Sequence, residues 1–203
     1  MLFQSINVPY CFSCHIVNLS PIRTLFNCDV VILQCMEIKN KIKESGLIQM
    51  DLSDFKPDCP IIGFDMSERL HKGLVLKEKE FRQWLKEHDW SQYKSNAVHI
   101  HCSTDAIVPT WAYMLVMSSL QGNSEMAVVG SKTDLEKKLI EQKIHALNSS
   151  DFKDERIIIK GCSDISVPEF AMSELVRFLQ SHAKSIMYGE PCSTVPIYKK
   201  KKP

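Results

Sequence analysis

Residues 97–111 read AVHIHCSTDAIVPTW, and residues 156–170 read RIIIKGCSDISVPEF. Both run from an apolar stretch through Cys-Ser and an aspartate to Val-Pro, and this doubling decides how the chain is read. The apolar stretches predict strands. Pro109 and Pro168 predict helix starts, where a missing N–H is no loss. Val108–Gly130 aligns without a gap on Val167–Gly189, repeating Pro109, Ala112, Leu120, Gln121 and Gly130 as Pro168, Ala171, Leu179, Gln180 and Gly189. This spacing reads as an internal duplication.

Outward from these segments the pattern predicts strands at 97–101, 126–130, 156–161 and 185–189. Helices are predicted at 109–121, 168–182 and in TDLEKKLIEQKIHALN, where Thr133 and Glu136 form a capping box. Alternating strands and helices imply an α/β fold with a parallel sheet and right-handed crossovers. The expected core, residues 95–198, is a four-stranded, mostly parallel sheet made of two duplicated βαβ halves in the order 2-1-3-4. Residues 36–94 read as a small α+β lead-in, with a helix at 36–46, a strand in 47–55 and an amphipathic helix over 77–90 carrying Phe81, Trp84 and Leu85 on one face. Residues 199–203 read as a solvated basic tail. The stretch EPCSTVPIYKKKKP after the last predicted strand reads as trailing chain.

The first thirty-five residues carry only Arg23 and Asp29 as charges, yet hold Cys11, Cys14, Cys28 and Cys35. They are expected to be a non-native, poorly ordered extension ahead of a start at Met36. Their CFSCH, residues 11–15, matches the haem-attachment pattern, but no export signal precedes it and haem is not expected. GSKT at 130–133 lacks the glycines of a phosphate-binding loop.

Twenty-five basic and 24 acidic residues give a net charge of +1, which implies no acidic partner, so nucleic acid is not expected. No apolar run is long enough to span a membrane. A cytoplasmic chain with a small-molecule ligand, free to self-associate, fits this composition.

The order 2-1-3-4 puts the first strands of both halves side by side at a switch point, where a crevice opens at their carboxyl ends. Cys102 and Cys162 end those strands, and Cys192 follows the last one, so the thiols are expected on adjacent strands roughly 5 Å apart. Ser103, Ser163 and Ser193 follow these three cysteines, and none of the other five is followed by serine. A hydroxyl and an N–H just after a thiolate can hydrogen-bond the sulfur. Cys102, Cys162 and Cys192 are therefore the expected ligands of zinc or an iron–sulfur cluster. Asp105 and Asp164 occupy matching loop positions, either as Asx turns or to take a thiol proton. Two alternatives stay open: a cofactor-free enzyme in which Cys102 and Cys162 exchange protons, and an interaction module with its cysteines packed as small apolar residues. His101, next to Cys102, is expected to point to the opposite face of its strand.

Over residues 36–200 the chain resembles a bacterial family known only as domain of unknown function 2480. The stretches SGLIQMDLSDF, FRQWLKEHDWSQY, CSTDAIVPTWAYML, IIKGCSDISVP and KSIMYGEPCSTVPIYKK carry the resemblance. It implies an intracellular bacterial protein and no particular activity. More locally, the Cys-Ser segments are similar to the strand–Cys–helix segments of aspartate and glutamate racemases. That resemblance implies an acid/base pair at Cys102 and Cys162.

Overall fold

A computed structural model describes residues 46–161 and 165–201. The elements are β1 (Leu47–Asp51), β2 (Ile61–Asp65), α1 (Glu78–Glu87), β3 (Ala97–His101), α2 (Thr110–Leu120), β4 (Met126–Val129), α3 (Lys132–His145), β5 (Arg156–Lys160), α4 (Pro168–Leu179), β6 (Ser185–Glu190) and β7 (Ser193–Lys199). Short 3-10 turns lie at Leu52–Phe55, Met66–Arg69, Trp90–Tyr93 and Ser149–Phe152. The extension at 1–35 and residues 36–45 of the expected helix at 36–46 fall outside the described residues, and Gly46 is a turn.

The α/β class stands, but the single sheet of order 2-1-3-4 is corrected. The described residues form two sheets, β1-β5-β6-β7 and β2-β3-β4. The expected neighbours β3–β4 and β5–β6 do pair in parallel. The junction between β3 and β5 does not form, because each has another parallel partner: β2 along β3, and β1 along β5. Apolar faces explain the choice. Phe64 of β2 joins Val98 and Ile100 of β3 in one buried cluster, and Met50 of β1 joins Ile157 and Ile159 of β5 in another. The segment expected as a lead-in thus supplies an edge strand to each sheet.

The trailing-chain reading of the last residues is corrected too. Ser193–Lys199 pairs antiparallel with β6. Pro196 sits opposite Met187 beside a register shift, and an edge strand tolerates proline there. Lys200 Nζ meets Asp154 Oδ1 at 2.7 Å.

The two halves repeat one plan over a longer stretch than the sequence alone indicates. Ala97–His101 maps onto Arg156–Lys160 with a constant offset of 59 positions. The turns Trp90–Tyr93 and Ser149–Phe152 share that offset. So do the left-handed residues Ser95 (φ 67°) and Asp154 (φ 58°). The strands β1 and β2 repeat as well: each ends in an aspartate, Asp51 or Asp65, that accepts the N–H of the serine two residues on. The halves are interleaved, since β1 stands before the whole of one half and pairs with β5 of the other.

Helix α3 joins the halves. Ser131 caps it, accepting from Asp134 N at 3.2 Å while Asp134 accepts from Ser131 N at 2.9 Å. The box predicted at Thr133 and Glu136 therefore lies two residues further upstream. Glu136 instead accepts from the Ser166 hydroxyl at 2.7 Å. One stripe of the helix, Leu135 and Leu139, packs with Ala97 against the β2-β3-β4 sheet. A second, Ile140 and Ile144, packs among Ile157, Ile159, Leu175 and Leu179. Large-to-small changes in either stripe leave unfilled space, so Leu135→Ala and Ile140→Ala are each expected to cost about 2–5 kcal/mol in urea unfolding. Leu74→Ala, at a residue 70% exposed, should change stability by less than about 0.5 kcal/mol. A Leu135→Ala chain as stable as the parent contradicts this role for α3.

Candidate functional site

The carboxyl ends of β2 and β3 lie side by side in register, with Asp65 opposite His101. Asp65 accepts Ser67 N at 2.9 Å and Ser103 N at 3.0 Å, while the Ser67 and Ser103 hydroxyls lie 3.0 Å apart. Burial pushes the Asp65 carboxyl up, but the Ser103 and Ser67 donors outweigh it and hold the group well below the usual carboxylate range. It stays ionised, and its Oδ1 pins the loop after β3 to β2 by accepting from both backbone N–H groups. Asp51 repeats the turn contact after β1, accepting Ser53 N at 3.0 Å and Ser53 Oγ at 2.7 Å, with Lys160 Nζ 3.7 Å away.

Cys102 directly follows β3, is half-buried, and forms no disulfide. Its sulfur lies 3.4 Å from both Thr104 O and Thr104 Oγ1. Ser103, expected to support that sulfur, bonds instead with Asp65 and Ser67. Asp105 is exposed in the same loop. Cys192 is exposed in the β6–β7 turn, and Ser193 opens β7. Cys162, Ser163 and Asp164 lie outside the described residues.

The expected row of three thiols on adjacent strands of one sheet does not form, because β3 and β6 belong to different sheets. The offset of 59 between β3 and β5 also sets Cys102 against Gly161 and Ser103 against Cys162. The two cysteines are therefore one register apart, although Asp105 and Asp164 do correspond. Gly161 has φ +81°, and a Cβ there would stand 2.6 Å from Asp51 Oδ1. No side chain, cysteine included, fits that position without displacing Asp51.

Sequence reasoning passed over three features. The first is the aromatic wall beside β2, where Phe64, Trp84, His88, Trp90 and Tyr93 meet ring to ring and Arg69 sits 4.4 Å over Trp84. His88 belongs to this wall, whereas Asp89 caps the turn at Trp90–Tyr93. The second is the pair His99 and His101, stacked at 4.7 Å over Gly63, with both Nδ1 atoms buried and unpartnered. A Cβ on residue 63 would lie 3.0 Å from His99 Nε2, so a larger residue there would have to push the rings aside by a few tenths of an ångström. The H-x-H spacing on a predicted strand was the available signal.

The third is an uncharged face. From Thr110 to Gln121 no residue is charged. Ala112, Val116 and Leu120 are buried inward, while Met114 is 67% exposed. Beside it Val129 of β4 is 49% exposed. Tyr113, Met114, Met117, Gln121 and Val129 line a groove of about 750 Å³. Burial, then Cys102 and Asp65, push the Tyr113 phenol up, so it remains a hydrogen-bond donor at the groove's end nearest Cys102.

Among the described residues one group has metal-ligand spacing: Glu141, His145 and Glu174, with ligand atoms within 4.8 Å of one another. Lys138 pairs with Glu141 at 2.7 Å, and Arg177 pairs with Glu174 and lies 3.7 Å from Glu141. The carboxylates already have cations.

A family model described as "Protein of unknown function (DUF2480)" matches residues 36–200. No curated protein matches the chain, and no solved structure does. The likeness to racemases gains no support from these comparisons. Among the described residues no helix is long and apolar enough to cross a membrane.

Burial, then Arg69, holds His88 below its ordinary pKa, with Asp89 opposing. Burial, then His101, does the same for His99, with the Gly130 backbone opposing. Each imidazole takes a proton more readily in the unfolded chain, so acid favours unfolding. The contribution is fully present above the unfolded pKa of about 6.5 and is lost as pH falls through the lower folded values. The urea midpoint is therefore expected to drop between about pH 7.5 and about pH 5.5, and to drop less in His99→Gln. A midpoint constant across that range contradicts the assignment.

Proposed function

For a chain that belongs to the DUF2480 family of unknown function, we infer a role from geometry: it is a non-catalytic interaction module that works through the face formed by α2 and β4. One observation carries this reading. The two halves share a plan, yet among the described residues the outer side of β6 is covered by β7, whereas β4 has β3 alone as a neighbour. An uncovered strand edge is a template for pairing and is usually blunted by charge, proline or a covering segment. Here it is flanked instead by a helix without a charge. The corresponding helix α4 carries Glu169, Glu174 and Arg177.

The Asp65–Ser67–Ser103 cluster supports framework rather than catalysis, since Asp51 and Ser53 repeat its core and the Asp65 carboxylate, held well below the usual range by these donors, is a poor proton acceptor. The unpaired Cys59, Cys102 and Cys192 suit a reducing compartment such as the cytoplasm. The reading is tested by replacing Met114 with photo-reactive benzoylphenylalanine, and separately Ser173, its counterpart on α4. Irradiation in cells is expected to cross-link protein at 114 at least tenfold more than at 173. Equal capture at the two positions, or none at 114, contradicts it.

A second reading keeps a soft-metal centre of Cys102, Cys162 and Cys192 holding zinc or an iron–sulfur cluster. The free, half-buried Cys102 thiol at the end of a central parallel strand favours it. It predicts about one zinc, or iron with acid-labile sulfide, per anaerobically purified chain, lost in Cys162→Ser. Metal-free protein, with Cys162→Ser unchanged, removes it.

A further inference from the structure

Resting on the interaction reading, we propose that the occupant of the α2–β4 face is a second copy of the chain. Two β4 strands meet edge to edge and antiparallel about a two-fold axis, with the α2 helices side by side. Three observations name this partner.

The first lies within the chain. The fold already covers the counterpart of the β4 edge once, on β6, with an antiparallel strand: β7 runs from Ser193 opposite Glu190 to Lys199 opposite Ser185. A strand placed against β4 in the same sense repeats a packing that this backbone supports. A two-fold axis perpendicular to the sheet reverses the direction of a copy of β4, so about such an axis the strand it offers is antiparallel.

The second is charge. In an isologous interface each residue near the axis faces its own counterpart, so any charge there meets its like. The α2 face meets that constraint and α4 does not. At the offset of 59, Thr110, Met114 and Ser118 stand where α4 has Glu169, Ser173 and Arg177. A partner of different sequence imposes no such rule, and charged partners are ordinarily met by opposite charge. A neutral face has nothing to complement except another neutral face, and the chain itself supplies one.

The third is shape. Met114, 67% exposed, forms part of the lining of the groove with Tyr113, Met117, Gln121 and Val129. A two-fold brings the two groove linings together, each with its Met114, and the unbranched thioether adapts to an apolar contact. The contact is small: an eleven-residue helix is about 16 Å long. This puts the interface at the low end of the standard size class, where association is weak. The dimer is thus expected to form and dissociate in the micromolar range.

Sedimentation velocity of the full chain from about 1 to 200 µM tests this, on either side of the expected dissociation constant. The expected result is a reversible shift from the 23.3 kDa chain to twice that mass. Met114→Lys with Val129→Lys places like charges across the axis and should raise the dissociation constant at least tenfold. Ile197→Lys, on the exposed edge strand β7, should leave it unchanged. Should the lysine pair impair folding, Met114→Gln with Val129→Thr gives the same direction with a smaller shift. A monomer throughout, or a dimer that neither pair weakens, overturns the proposal. If the chain is monomeric while position 114 still cross-links another protein far above position 173, the partner assignment falls and the interaction reading stands. If position 114 captures nothing, both fall.

Discussion

Helix α3 is the element on which the rest of the structure depends, because it must bury two stripes at once. Leu135 and Leu139 close the face of β2-β3-β4 around Ala97, and Ile140 and Ile144 enter the core of the other sheet. An ordinary surface helix buries one stripe and leaves the opposite side wet. This one also runs directly from β4 towards β5, so it joins the two repeated halves by packing as well as by covalent bond. Its capping box at Ser131 and Asp134 fixes where the first turn begins, and with it which residues fall on each stripe.

Repetition separates framework from specialisation. Both halves keep the strand-ending aspartate that accepts from a serine two residues on, the parallel register beside it, and the left-handed residue before the inner strand. Features held in duplicate are what the backbone plan needs. The halves differ where one of them is free to do something else. Cys102 faces a counterpart, Gly161, that has no side chain. Among the described residues α2 is uncharged where α4 carries Glu169, Glu174 and Arg177, and the edge of β4 lacks the strand that covers β6. Those differences cluster on one side of one half, around α2.

Much of the local structure was legible. The strands at 97–101 and 156–160, the amphipathic helix with Phe81 inward, and the helix begun by Pro168 follow from periodicity and proline placement. The sheet partners were not, because they join distant segments: Leu47 pairs with Arg156, and nothing local in LIQMD distinguishes that partner from the nearer β3. The two Cys-Ser pairs misled for a related reason. Matching letters drew Cys102 onto Cys162, whereas the backbone offset sets Cys102 against Gly161, a glycine held at φ +81° over Asp51. The uncharged run from Thr110 to Gln121 was readable in the sequence. Its meaning emerged only beside an uncovered β4, since a helix apolar all round otherwise reads as buried.

The central claim is that the α2–β4 side is the working surface of this fold, and amide hydrogen exchange followed against protein concentration tests it most directly. Raising the concentration through the micromolar range should slow exchange at residues 126–129 and 110–120 while leaving β6 and α4 unchanged. Exchange at β4 that stays fast at every concentration, or protection that builds on β7 instead, contradicts the account.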